Sequence, residues 1–355
     1  METGAKQHEI AVIITVFNKE KFLRDTLESI LTQKTSRPFC IILSDDGSSD
    51  SSRQICADYA ANVCVFDITD GEHRGVNGNF LHCLKYAISL NVKYISQIDS
   101  DDILADPFFL ERQVSFLESH PDAQAAASGF FLISEEDDLS SSRRLFDNLY
   151  PESKASKFSY RRYLSNRNSH EVSCGTKALL NKNNKLVASA VTYRSEWLDQ
   201  YLWTFASCED STQDLPLWLF LSQFGSFWYC GLKSLAYRNL AESVSRSQNL
   251  DDQLRFQKSS LDTRLRFTGY LKQNHPHYVC NPRWKAVECL QRYFKRIDKL
   301  ADKAKLLYEK KMLRHYAKLS PKEYPAQLKQ SLKKSPSLIF SKDIWRSIGV
   351  YLKNR

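Results

Sequence analysis

Four consecutive residues, Asp99-Ser100-Asp101-Asp102, carry the strongest chemical signal in this chain, at the end of the apolar run Tyr94-Ile95-Ser96-Gln97-Ile98. The run reads as a buried strand, and carboxylates are rarely buried without a partner. Three together repel one another unless a cation neutralises them. An all-oxygen set suits a hard cation such as Mg2+ or Mn2+, which keeps waters and completes its shell with substrate phosphates. The segment thus suggests a metal holding a phosphorylated substrate. The competing reading is a solvated loop whose acids cap a helix begun near Pro107.

The elements that must position these acids alternate. Residues 9–17 form a continuous apolar run that fits a strand covered on both faces. Asn18 is expected to cap a helix ending near Gln33, with Phe22, Leu23, Thr26, Leu27, Ile30 and Leu31 at helical spacing. A strand over 39–43 leads into Asp45-Asp46-Gly47-Ser48-Ser49-Asp50, then come a helix over 51–61, a strand over 63–68, a helix over 77–90 and the strand over 94–98. This order predicts an α/β fold, a parallel sheet flanked by helices, with ligands beyond the carboxyl ends of the strands. Those ends carry Thr15 and Phe17, Asp45-Asp46-Gly47, and the acid run at 99–102. A nucleotide and metal site explains all three clusters together.

Beyond residue 125 the pattern loosens. A strand is expected over 123–133, and 134–168 reads as a polar excursion, either facing substrate or a surface loop. Residues 186–193 look strand-like, and a short apolar helix over 215–224 is closed by Gly225. Segments 227–230 and 233–237 read as closing strands, and the chain is helical from Asp251.

Composition narrows the class. At 355 residues and 42% apolar content the chain is globular and can bury a large core. No apolar run approaches the roughly 18–20 residues that span a bilayer. The start of the chain lacks the apolar stretch of a signal peptide, so a cytoplasmic protein is expected. Nine cysteines without a Cys-x-x-Cys pair read as reduced thiols. Charge is uneven: residues 251–355 hold 25 Lys and Arg against 9 Asp and Glu, net +16, and residues 1–250 are net −7. An acidic body of 1–250 with a basic helical region of 251–355 points to an anionic partner.

At this point the chain resembles the inverting family 2 glycosyltransferases of the GT-A fold. The likeness runs through Ile13-Ile14-Thr15-Val16-Phe17-Asn18, Leu27-Glu28-Ser29-Ile30-Leu31-Thr32-Gln33, Ser44-Asp45-Asp46-Gly47-Ser48-Ser49-Asp50, Gly75-Val76-Asn77-Gly78-Asn79-Phe80, Asp99-Ser100-Asp101 and Gln213-Asp214-Leu215-Pro216-Leu217-Trp218-Leu219. It covers roughly residues 8–246. Six motifs in the family's order make a chance match improbable.

The resemblance implies a GT-A, Rossmann-like, mostly parallel sheet flanked by helices, with a C-terminal helical appendage. It implies a nucleoside pocket lined by Thr15, Phe17 and Asp46, with Phe17 near the base ring. Asp99 would contact the ribose or the metal shell, and Asp101 would be the main ligand of Mg2+ or Mn2+. Asp214 would take the proton of an acceptor hydroxyl as it attacks the anomeric carbon of a nucleotide-diphosphate sugar, with inversion. The acceptor would be a glycan or lipid-linked chain in surface polysaccharide or lipopolysaccharide synthesis.

Two positions depart from the family. Gln213 stands where an acid is frequent, and Leu240 where a histidine that helps bind metal or diphosphate is usual. Asn239, Glu242 and Arg238 are the candidates to replace that histidine.

Among the remaining groups, His73-Arg74 could meet the diphosphate and Arg161-Arg162 an anionic acceptor. Trp197, Trp203 and Trp218 read as core or acceptor-groove walls. The basic region, with Arg292, Phe294, Lys295, Arg296, Lys299, Lys303 and Leu306 at helical spacing, fits an anionic membrane surface. That would place the protein peripherally on the inner face of the membrane. Nucleic acid is disfavoured because no nucleic-acid motif accompanies the charge, and an oligomer contact stays open.

Three other classes compete. A nucleotidyltransferase needs a glycine-rich basic loop where Asn18-Lys19-Glu20-Lys21 stands. A receiver-like domain leaves the Asp99 and Asp214 motifs unexplained. A catalytically degenerate GT-A protein, acting as a binding or scaffold module through its basic tail, is favoured by Gln213 and Leu240.

Overall fold

The computed structural model describes residues 8–150, 170–171, 179, 186–210, 212–240, 250–274, 325 and 328, some side chains of the last helix excepted. The chain divides into two compact units, Met1–Cys280 and Asn281–Arg355. The first holds all the described elements.

Its first half is the expected alternation: β1 (Ile10–Val16), α1 (Leu23–Leu31), β2 (Phe39–Asp45), α2 (Ser52–Tyr59), β3 (Val65–Asp67), α3 (Gly75–Ser89) and β4 (Tyr94–Gln97). There follow β5 (Ile103–Leu104), α4 (Phe109–Ser119), β6 (Ala123–Ile133), α5 (Leu139–Leu149), β7 (His170–Glu171) and β8 (Val191–Arg194). The unit closes with α6 (Leu198–Thr204), α7 (Asp214–Leu221), β9 (Ser226–Arg238) and α8 (Leu250–Asn274).

The sheet runs β3-β2-β1-β4-β8-β6-β9-β5, with β7 on β9. Strands β3, β2, β1 and β4 are mutually parallel, whereas β8 is antiparallel to both β4 and β6. The register Val16↔Asp45 and Ile13↔Gln97 brings the carboxyl ends of β1, β2 and β4 to one edge. Strand β1 is buried on both faces, Ile10, Val12 and Ile14 packing with Leu23, Leu27, Ile30, Ile41 and Leu43. That explains its unbroken apolar run.

Four local expectations are corrected. Asn18 does not cap α1: it sits at φ 52, in the left-handed region that Asn tolerates, and its side chain accepts from the amide of Ser49. Helix α1 therefore starts at Leu23.

The polar excursion contains α5, capped by Asp138, whose side chain accepts from the amide of Ser141 while the Ser141 hydroxyl accepts from the amide of Asp138. Its serines suggested a loop, yet Ser140 to Ser142 lie in the first turn, where hydroxyls can serve helix starts. The two closing strands are one strand, β9, with Gly231 at φ 77.

Gly225 is needed for space, because a Cβ there would stand 2.6 Å from the carbonyl oxygen of Asp122. The backbone is that close because Ser226 starts β9 by donating to the same carbonyl.

The first unit runs to Cys280 and includes α8. Phe267 meets Phe205 edge-on at 5.3 Å, and Tyr270 lies 5.9 Å from Phe220 on α7. The basic residues from Arg292 to Leu306, Arg161-Arg162 and Glu242 lie outside the described residues. Among the described residues no helix is long and apolar enough to cross a membrane.

Candidate active site

The loops after β1, β2 and β4 meet at the shared sheet edge. In the loop after β2, the Asp45 carboxylate accepts from the amides of Gly47 and Ser48 and from the Ser48 hydroxyl, folding the chain back at Gly47, φ 84. This leaves Asp46, 4% exposed, beside the start of α3. One Asp46 carboxylate oxygen accepts from the amide of Arg74 at 2.7 Å, and the other lies 3.1 Å from His73 Nδ1. The His73 ring is 5.6 Å from that of Phe17, which is 48% exposed. Phe17, Asp46 and His73 thus form one aromatic and acidic corner, with Thr15 behind it on β1. Arg74 turns elsewhere, its guanidinium engaged by Asp70 and Glu72.

The acid run divides in function. Asp102 faces inward: its Oδ1 accepts from the amide of Arg238 at 3.0 Å, and its Oδ2 is buried without a hydrogen-bond partner. Burial first, then the charges of Asp101 and Asp99, push its carboxyl well above the ordinary value. Through its bond to the Arg238 amide, Asp102 ties the end of β4 to β9.

Asp99 and Asp101 lie on the open side. The amide of Asp99 donates to Ser189 Oγ at 3.0 Å, and its Oδ1 accepts from Gln213 Nε2 at 3.3 Å. Burial, then Asp101, raises its carboxyl, and Asp214 adds a smaller repulsion. Asp101 Oδ2 lies 2.6 Å from Lys19 Nζ.

Asp214 opens α7, whose N-terminal amides favour a negative charge, and its Oδ1 accepts from the amide of Leu215. The Gln213 contact to Asp99 therefore joins the start of α7 to the acid cluster. Arg264 on α8 lies close enough for its charge to couple to Asp214; burial pulls its guanidinium down to about 10, and Asp214 partly offsets this. The preceding loop is tied to α8 as well, for buried Asp210 accepts from Thr263 Oγ1 at 2.6 Å and from Arg266.

Two of the three candidates for the missing histidine, Arg238 and Asn239, lie among the described residues. Arg238 is 4% exposed and donates to the carbonyls of Asp101, Ser134 and Asp137. It is a structural pin. Leu240 is buried, and Asn239 donates through its amide to Ile133. Among the described residues no three acids, histidines or cysteines converge as a metal cage. A hard cation fits this donor set only as a two-carboxylate ion, held by Asp101 and Asp99 and completed by phosphate and water.

Sequence reasoning singled out Thr15, Phe17, Asp46, Asp99, Asp101 and Asp214, and the fold gathers them at one end of the sheet. It missed Lys19, Ser189 and the α8 contacts. Ser189 and α8 carry no motif. Lys19 was visible only as part of the turn after β1. Of the tryptophans, Trp218 is core, Trp197 stacks on Phe224 at 4.1 Å, and Trp203 is 83% exposed.

The comparisons with known proteins bear on the fold and on the class of protein. The glycosyl transferase family 2 model matches residues 11–184, which hold the parallel half of the sheet and the acid run. EpsE of Bacillus subtilis (strain 168), named as a candidate glycosyltransferase, is 34% identical over 137 residues, 38% of this chain and 46% of that protein. GgaB of the same organism, named a minor teichoic acid biosynthesis protein, is 31% identical over 124 residues, 34% of this chain and 13% of that protein. The chain thus matches less than half the length of these curated relatives.

Staphylococcus aureus TarS (1–349), solved in complex with UDP, superposes with a TM-score of 0.51 at 14% identity, covering 98% of this chain and 91% of TarS. That likeness is one of fold, and it fixes the architecture as the GT-A type.

Proposed function

We propose that this protein is a glycosyltransferase that moves a sugar from a nucleotide-diphosphate sugar to a hydroxyl of a surface-polymer acceptor, with inversion. The observation that carries the reading is the convergence of the Phe17–Asp46–His73 corner, the Asp99–Asp101 pair and Asp214 at one sheet edge. Phe17 and Asp46, with Thr15 behind, would take the nucleoside, Asp46 accepting a base N–H. Asp101 and Asp99 would hold Mg2+ or Mn2+. Such an ion neutralises the diphosphate as it leaves. Asp214 would accept the proton of the attacking hydroxyl, its ionised form favoured by the α7 N-terminus and by Arg264.

The teichoic acid role in GgaB's name and the UDP bound by TarS support a sugar nucleotide as donor and a glycan or lipid-linked surface polymer as acceptor, of teichoic-acid or lipopolysaccharide type. The net charge of +16 over residues 251–355 suits an anionic membrane surface, with the protein peripheral on its cytoplasmic side. The degenerate-scaffold reading rests on Gln213 and Leu240, and the Gln213 bond to Asp99 weakens it by giving the glutamine a place in the site.

The test is a thermal-shift screen of UDP, GDP and dTDP, and their sugars, with and without Mn2+. Stabilisation by one base series, dependent on metal and lost in Asp101→Ala, is the expected result. No shift in folded protein would transfer the weight to the scaffold reading.

A further inference from the structure

Lys19 belongs to none of the family motifs, yet its backbone is fixed with care. Its amide donates to Ser52 Oγ at 2.7 Å, and its carbonyl accepts from the amides of Phe22 and Leu23 at 3.0 and 2.9 Å. Asn18 before it is held to the loop after β2, donating to Ser48 Oγ and accepting from Ser49. Glu20 after it binds the same loop through Asp50 and Ser51. The Cα of Lys19 is thus anchored, and only its four-carbon stem is left to move.

The ammonium rests 2.6 Å from Asp101 Oδ2, with the two side chains 28% and 19% exposed. It occupies the oxygen a divalent ion would need. Lys21, two residues on, serves other acids, at 3.4 Å from both Glu135 and Glu136.

We propose that Lys19 is a built-in second cation of the donor site, which neutralises Asp101 while the site is empty, cedes that oxygen to an incoming divalent ion, and then pairs with the donor's diphosphate. This rests on the donor-site reading above. A pair of this exposure is weak enough to exchange readily. The released ammonium remains beside a diphosphate whose negative charge one divalent ion does not fully cancel. Lysine, a point charge on a flexible stem, suits such a transfer between two anions better than a rigid fork.

The proposal requires opposite effects on two ligands. Lys19→Met keeps the stem and removes the charge. Mn2+ alone, followed by loss of the free-ion electron paramagnetic resonance signal, should bind about fivefold tighter once this competitor is gone. In saturating Mn2+, whichever of UDP, GDP and dTDP the unaltered protein takes should bind about tenfold more weakly by titration calorimetry. Lys21→Met makes the same change in charge without touching Asp101 and should move neither affinity by more than about twofold.

Circular dichroism melting checks that each variant folds, and Lys19→Gln replaces Lys19→Met if the latter does not. Unchanged affinities in Lys19→Met, a shift of both in the same direction, or equal effects from Lys21→Met would overturn the proposal. Failure of the underlying reading looks different: the unaltered protein then binds none of the three diphosphates with or without Mn2+, and both conclusions fall together.

Discussion

At the scale of single residues, the site assigns different work to neighbouring carboxylates by facing them differently. Asp102 is turned inward and bonded to the Arg238 amide, while Asp101 meets a lysine at the open edge. The sequence showed three adjacent acids but not their directions, since facing depends on a strand that arrives more than a hundred residues later. Asp214 was singled out only by the resemblance of residues 213–219 to a family segment, since a short apolar run does not by itself mark the acid before it. Lys19 was not singled out, because nothing local marks a lysine that reaches across the sheet edge. Replacing Asp214 by Asn should lower the transfer rate about 10²- to 10⁴-fold while leaving donor affinity unchanged, measured by product formation beside titration calorimetry. Loss of donor binding in that variant would place Asp214 in the donor pocket instead.

At the scale of elements, the parallel half was readable because each strand there is an unbroken apolar run between helices of clear period. Helix α5 was hidden by its serines, and the unity of β9 by Gly231, which looks like a turn in sequence and acts as a kink within a strand. The role of Gly225 is steric, so Gly225→Ala should cost about 1–3 kcal/mol, read from chemical denaturation, with the slope unchanged. A neutral result would mean that the Asp122 carbonyl can shift at little cost. Phe267 on α8 is fully buried against Phe205, just after α6, and Phe267→Ala should destabilise by about 3–5 kcal/mol. Because α8 also holds Asp210, the same variant should slow transfer more than it weakens donor binding.

At the scale of the whole molecule, a cluster of charges around α4 is expected to contribute to the acid tolerance. Glu111 on α4 accepts from Thr35 and Ser36 and lies beside Arg37, which also pairs with Glu9 and Glu118. Burial alone would raise the Glu111 carboxyl, but these hydrogen bonds and the Arg37 charge bring it below its ordinary 4.5. Its contribution is therefore present above pH 4.5 and is lost as pH falls through the lower folded value. Melting curves recorded from neutral pH downward should show a shallower acid loss in Glu111→Gln than in the unaltered protein. Equal slopes would assign the acid sensitivity to other groups. This cluster was illegible in sequence, since its members come from the residue before β1, the loop before β2, and α4.

The bond from the Arg238 amide to Asp102 spans 136 residues. During synthesis at roughly 5–20 residues per second, Asp102 waits on the order of ten seconds for its partner. Throughout that interval the acid cluster lacks its pin, and for most of it β4 lacks β8 and the cluster lacks the start of α7. A chain cut short before residue 238 would carry its parallel half without a complete β9, a natural substrate for chaperones and proteases.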